Sequence, residues 1–434
     1  MPKQNIILGL SLAATLLVYL AYAHLQPTYT YAQLDPRFDA HQYARAYDYF
    51  KGQNPKYVVS FPFNARVLSP WLAAQLPFNE ATTAFVWFNG FFILLAVGFL
   101  VLIWQKLKIQ NSLIFLGLFL TLFHWKGIVR MYLPDPVSAD VAGYFFGAVW
   151  LYFVLFKNEP TARNYLILGL IGALAALQKE SFIVVAGATW LFFVVKKQNA
   201  NLFLVGFLAA IFAHFWADWA SPTAQTDWRN NPAITVLRGI KRYAQNPELL
   251  SRLPVSWLIS PLAAGGGISL ILTAVPEAIM SVLHNTHAPQ PTTHDPRLTT
   301  QYPRLNTHYP RLTTQYPRLM TLTWLILSVV GGGDTTRILV NGLPFVLTFL
   351  LLGLNQKPRW VAYFWGVASL PFMRLFELEP DLGLFPEQAH RWCVECWPLA
   401  ESWPYLTYFA VVLMVYNYLA RRFAAVESRE PNEV

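Results

Sequence analysis

Carboxylates and cations gather in a few short polar stretches of a chain that is otherwise strongly apolar. The first stretch, LDPRFDAHQYARAYDYF, carries Asp35, Asp39, His41, Tyr43 and Asp48, and FPFNARVLSPWLAAQLP follows it with Arg66. LPDPVSAD supplies Asp135 and Asp140, LQKES supplies Lys179 and Glu180, and GGGDTTR supplies Asp334 and Arg337. A carboxylate held beside a hydroxyl can take its proton as that oxygen attacks. Arg or Lys can hold an anionic group through charge-assisted hydrogen bonds. Any one of these acids reads equally well as an interface residue among lipid headgroups. Taken as a set they read as a site, because a carboxylate at the edge of hydrocarbon is costly to desolvate and function is the usual reason to keep it there.

The elements that must position these residues are membrane helices. Of 434 residues 55% are hydrophobic and only 13% charged, and the mean hydropathy is +0.36; soluble domains carry about twice that charge fraction. Aromatic residues make up 16%, which suits a protein with two membrane interfaces for amphipathic rings. The net charge of +9 is scattered through short segments instead of lining one face, so it reads as membrane orientation and gives no reason to expect nucleic acid. The expected fold class is an all-α polytopic membrane protein forming one transmembrane domain over residues 1–434.

Apolar runs recur at 6–23, 84–104, 112–123, 141–156, 165–177, 182–195, 202–219, 257–283, 320–330, 338–354, 360–372 and 405–420. They predict about twelve transmembrane helices, although several fall short of the roughly 20 residues needed to cross and must tilt or borrow flanking polar residues. Their backbone groups demand helices, since they do not alternate as barrel strands would. Lys3, the first run and Ala21-Tyr22-Ala23 resemble a secretory signal, but the run is longer than a signal core and reads as an uncleaved first helix.

With the N-terminus in the cytoplasm, the raw count of basic residues is the same on both sides. Density decides the orientation: the inner segments are mostly short and acid-poor, the outer ones long and acid-bearing. All the polar stretches named above then face outward. Residues 24–83 form the first extracytoplasmic loop with the candidate active site, and 373–404 the last. Residues 220–256 form an outer amphipathic loop in which Ile234, Leu237, Ile240 and Tyr243 recur at helical spacing. Such loops are expected to carry short amphipathic helices. Residues 286–319 are read as a cytoplasmic loop holding four heptapeptides, HDPRLTT, QYPRLNT, HYPRLTT and QYPRLMT. Proline in every copy argues against a coiled coil, and removal of 294–314 is expected to leave activity intact.

Other features carry less. Cys393 and Cys396, the only cysteines, allow one local bridge at most, and with His390 they make a weak metal motif lacking a fourth ligand. His124 and His214, near helix ends, read as hydrogen-bonded structural histidines. GGG at 265 and at 331 opens no phosphate loop, so nucleotide sugars are not expected.

In layout and short motifs the chain resembles the GT-C superfamily of polytopic glycosyltransferases, which use lipid-phosphate-linked sugars. FDAHQYARA matches the place where that family keeps an acidic residue in its first extracytoplasmic loop. FNARVLSPWLAA resembles the basic, proline-bearing approach to the next helix, and LPDPVSAD, QKES and GGGDTTRILVNGLP resemble later segments. The resemblance implies inverting transfer of a hexosyl or pentosyl group from a polyprenyl-phosphate donor to a glycan, lipid or protein acceptor, on the outer face of a bacterial inner (plasma) membrane. Asp39 is then the base, with Asp35 in the same stretch as its alternative. His41, Tyr43, Arg66, Asp135, Lys179, Glu180, Asp334 and Arg337 would bind substrate, with Arg66, Arg337 and Lys179 as counter-charges to the phosphate. The first loop lacks an Asp-Asp, Glu-Asp or Asp-X-Asp motif, which leaves open whether a divalent ion such as Mg or Mn takes part. The competing reading is a transporter or flippase of lipid-linked saccharides, which would place charge near the bilayer centre; Glu277 beside Pro276 is the one residue here that suits it. A saccharide polymerase or ligase would share the layout.

Overall fold

A computed structural model describes residues 2–29, 39–60, 62–124, 127–221, 310–330, 341–355, 357–373 and 399–427, with a few isolated positions besides. Among these the regular structure is helical, without a strand. In chain order the helices are α1 (Pro2–Leu25), α2 (Asp39–Phe50), α3 (Leu68–Ala74), α4 (Ala81–Lys106), α5 (Asn111–Phe123), α6 (Asp140–Phe156) and α7 (Ala162–Gln178). They continue with α8 (Ser181–Val195), α9 (Ala200–Ala220), α10 (Pro310–Val330), α11 (Leu343–Leu354), α12 (Arg359–Met373) and α13 (Leu399–Glu427). A single 3-10 turn, Phe63–Ala65, precedes Arg66.

Among the described residues three helices are long and apolar enough to cross a membrane: Asn5–Leu25, Ala81–Lys106 and Ala200–Ala220. The apolar helices α5, α6, α7, α8 and α11 are shorter than that length requires. At 1.5 Å per residue a 17-residue helix such as α6 or α7 rises about 25 Å, against roughly 30 Å of hydrocarbon. The expected run at 257–283 lies outside the described residues.

Side-chain size decides how these helices pack. On α9 Leu208, Phe212, Phe215, Trp216 and Trp219 are exposed, whereas Gly206, Ala210, Ala213 and Ala217 are buried. Beyond the buried Leu202 and Phe203 of its first turn, and apart from His214, large residues lie outside and small ones inside, the pattern of a helix facing lipid, where backbone proximity replaces the hydrophobic effect as the source of association. The buried face of α9 packs on α7 so closely that a Cβ added at Gly172 would overlap the carbonyl of Gly206.

Polar contacts fix the directions. At one end of α4, Asn89 Nδ2 donates to Pro136 O (2.8 Å) just before α6; at the other, Lys106 Nζ donates to Tyr152 Oη (2.8 Å) near the end of α6. The two helices therefore run parallel. α1 runs against α4, with the Tyr19 hydroxyl on Val86 O and Leu12 beside Gly98. α7 and α9 run parallel with α8 returning between them: Asn199 Nδ2 meets Asn158 O at their starts (2.8 Å). The N-termini of α4, α6 and α8 and the C-termini of α1, α7 and α9 thus share one end of the bundle.

The heptapeptide segment departs from expectation. α10 begins at Pro310, inside the stretch read as a loop, so the whole of its last copy and most of the third are helical. Pro310 opens the helix, where a missing N–H costs nothing, and Leu312, Thr313 and Tyr316 are buried. The Tyr316 hydroxyl meets Thr189 Oγ1 (2.8 Å), and the Trp150 indole donates to both oxygens at 3.0 and 3.1 Å. Periodicity explains the outcome: copies seven residues apart return Leu312 and Leu319, or Thr313 and Met320, to nearly the same face. Removing 294–314 would delete Leu312 and Thr313 from the packed helix, so the tolerated deletion is instead 294–307. That shorter deletion should leave thermal stability in detergent unchanged, while Tyr316→Phe should lower stability by about 0.5–1.5 kcal/mol through lost hydrogen bonds, since Trp150 still donates to Thr189 and Thr189 to Val185 O. Equal stability of Tyr316→Phe and wild type would remove the assigned role of α10.

Candidate functional site

Local helix geometry sorts the residues of the first polar stretch. Asp39 opens α2, where its negative charge suits the helix N-terminus, and Tyr43 stands one turn later on the same side. His41 lies two positions from each, roughly 200° around the axis, half-buried on another face. Proximity in sequence therefore does not place His41 beside Tyr43. α2 is held to the chain beyond it by Tyr47 Oη on Phe78 O (2.7 Å) and by Lys51 Nζ on Leu76 O (2.6 Å) and Ala74 O (3.1 Å). Asp35 lies outside the described residues.

Arg66 is the centre of the arrangement. Phe63–Ala65 turns the chain so that the Arg66 guanidinium sits over the Phe63 ring, 4.7 Å from its centroid. Its Nε donates to Glu180 Oε2 (2.7 Å), Nη2 donates to Glu180 Oε1, and Nη1 donates to the Tyr43 hydroxyl (2.9 Å). The Tyr43 ring packs edge-on against Phe63, with centroids 5.5 Å apart. Three of the five N–H donors of a guanidinium are thus committed, and Arg66 is only 7% exposed.

Electrostatics follow from this geometry. Burial by itself would raise the Glu180 carboxyl, but the Arg66 charge and its hydrogen bonds, with Lys179 adding to them, bring it down to about 2. Burial pulls the Arg66 guanidinium down, and Glu180 and Tyr43 more than reverse it, holding it well above its ordinary value. Burial pushes the Tyr43 hydroxyl up, Arg66 opposes that, and the charges of Asp39 and Asp140 push further in the same direction. Asp39 and Asp140 therefore both stand where their fields reach Tyr43.

A second ion pair extends the site along α6. Lys179 Nζ binds Asp140 Oδ1, and Asn341 Nδ2 reaches the same oxygen at 3.4 Å. The neighbouring Gln178 is pinned by Ser69 Oγ (2.8 Å) and by the carbonyl of Ala139. Asp135 lies half-buried in the segment before α6, which is anchored where Tyr29 N donates to Pro134 O (2.9 Å). Residues Tyr43, Arg66, Lys179 and Glu180, among those expected from the sequence, are thus brought together, with Asp39 one helical turn before Tyr43. Asp334 and Arg337 lie outside the described residues.

Several participants had been overlooked or discounted. Asp218, near the end of α9, accepts from Asn64 Nδ2 (2.8 Å); the signal was an acid inside the apolar run FLAAIFAHFWADWA. One turn earlier, His214 is buried, and its Nδ1 has no hydrogen-bond partner among the described residues, so the expected hydrogen-bonded structural histidine is not what that atom displays. Arg130 is buried near the ends of α1, α5 and α12, over the Tyr22 ring and donating to the Met373 carbonyl. No group of three or more His, Cys, Asp or Glu able to hold a metal occurs among the described residues.

The fold and site together define an all-helical protein with helices apolar enough to span a membrane, carrying a buried, charge-paired polar cluster at one end of its bundle. No family model, no curated protein and no solved structure matches the chain.

Proposed function

We propose that this chain is a polytopic membrane glycosyltransferase of GT-C type, with about twelve spans, that moves a sugar from a polyprenyl-phosphate donor to an acceptor hydroxyl on the extracytoplasmic face. The observation that carries the reading is the gathering of Asp39, Tyr43, Arg66, Glu180, Lys179 and Asp140 at one end of the bundle, where helix ends meet the headgroup region. A lipid-linked donor needs that placement, since its tail stays in the bilayer while its phosphate reaches the polar cluster.

In the reaction the acceptor oxygen bonds to the anomeric carbon as the bond from that carbon to the phosphate oxygen breaks. The acceptor proton passes to the Asp39 carboxylate, and polyprenyl phosphate leaves with the bonding electrons. Lys179, with one of its donors on Asp140, and the uncommitted N–H groups of Arg66 supply charge-assisted hydrogen bonds to the departing phosphate. Glu180 keeps Arg66 oriented for this and stays ionised. Arg337 is a further candidate from the sequence.

Orientation is supported by the opposite end of the bundle, where Lys106, Lys108, Lys157, Arg163, Lys196 and Lys197 flank the helix ends. That is the cytoplasmic signature. A membrane-impermeant thiol reagent applied to intact cells should label Cys393 or Cys396 and should not label a cysteine introduced at 300; the reverse pattern would invert the topology. The activity itself is tested by transfer of radiolabelled sugar from a panel of polyprenyl-phosphate sugars by the purified protein. If no donor turns over while lipid-linked saccharide is flipped in liposomes, the protein is a transporter.

A further inference from the structure

Behind the Lys179–Asp140 pair lies a cavity of about 20 Å³ among α6, α7, α8, α10 and α11. Phe146, Phe182, Val185 and Phe345 form its apolar walls. Two polar groups that line it are unsatisfied among the described residues: the Trp324 Nε1–H, buried on a residue 5% exposed, and the buried Asn341 Oδ1. One is a donor and the other an acceptor, and native proteins seldom bury either without a partner. The Asn341 amide is oriented by its Nδ2, which turns toward Asp140. Trp324 is seated against Gly342, where an added Cβ would lie 2.7 Å from the Trp324 Cβ.

An occupant that satisfies both groups must accept one hydrogen bond and donate another, which a hydroxyl does. A cavity needs about 10–15 Å³ to hold one water-sized group, so this one admits a hydroxyl and has no room for an acetamido substituent. A carboxylate would bring a negative charge beside Asp140 and find no proton to offer Asn341 Oδ1. Building on the glycosyltransferase reading, we propose that the cavity receives one hydroxyl of the transferred sugar. The donor class is then a hexose or pentose with a free hydroxyl at the ring position that enters the cavity, and a sugar bearing an acetamido group or a carboxylate at that same position is excluded.

The test is the specificity of the purified full chain toward neutral, N-acetylamino and uronic polyprenyl-phosphate sugars, repeated with Trp324→Phe and Asn341→Ala. Across these donors and their monodeoxy analogues, those with the free hydroxyl at one ring position should exceed those without it in kcat/KM by up to about 10⁴-fold, the scale on which a site built to hydrogen-bond a hydroxyl rejects its absence. Trp324→Phe should lower kcat/KM for the preferred donor by about tenfold through the lost hydrogen bond, and should abolish discrimination against the matching deoxy donor. Asn341→Ala should do the same, and an unchanged thermal midpoint identifies whichever variant folds normally. Equal use of the preferred donor and all of its monodeoxy analogues, or normally folded variants with wild-type discrimination, would overturn the pocket assignment and leave the transferase standing. Absence of turnover with every donor would overturn the transferase reading and this inference with it.

Discussion

Asp39→Asn is expected to cut sugar transfer by roughly 10²- to 10⁴-fold, the usual contribution of a general base, while leaving expression, thermal midpoint and donor binding close to wild type. The substitution keeps shape while removing the negative charge and the ability to take up a proton. Asp39 stands in the first turn of α2, one turn from a Tyr43 that Arg66 holds in place, and its charge reaches the Tyr43 hydroxyl. An amide there still accepts hydrogen bonds at the start of α2, and the lost charge at the helix N-terminus accounts for about 0.3–1 kcal/mol. Single-turnover transfer with saturating donor is the measurement. Survival of turnover in Asp39→Asn would move the base to Asp35 or Asp140, and Asp140→Asn distinguishes these because its loss also releases Lys179.

Arg66→Ala is expected to be the most destabilising single change at the site, costing about 2–4 kcal/mol because it leaves the Glu180 carboxylate, whose side chain is 21% exposed, without its partner. Arg66→Lys should recover only part of this, since an ammonium cannot reproduce the two-pronged grip on Glu180 together with the bond to Tyr43. Thermal unfolding in detergent measures both. A loss under about 1 kcal/mol in Arg66→Ala would mean that the pair behaves as a surface salt bridge. The pair also dictates a pH response. Glu180 is held at about 2 in the folded protein against 4.5 for the ordinary group, so its contribution is full above pH 4.5 and is lost as pH falls through about 2. Glu180→Gln should flatten stability across that window.

The apolar helices, the helical class and most residues of the candidate site were legible in the chain because they depend on local composition. Apolar runs must become helices wherever backbone groups lack water, and acids or cations beside such runs stand out against them. That is how Arg66, Lys179, Glu180 and Asp39 could be chosen as a set before any contact was known. What the sequence by itself did not determine is who pairs with whom. The Arg66–Glu180 bond joins positions 114 apart and the Asn64–Asp218 bond positions 154 apart, and such partners are set by how helices stack, down to the Gly172–Gly206 contact that lets α9 approach α7. Side-chain direction was equally out of reach: His41 shares a tripeptide with Tyr43 yet faces elsewhere, and Leu312 and Tyr316 in a proline-bearing repeat become core. Seven-residue spacing returns a residue to the same helix face, but only a packed neighbour such as Trp150 makes that face an interior.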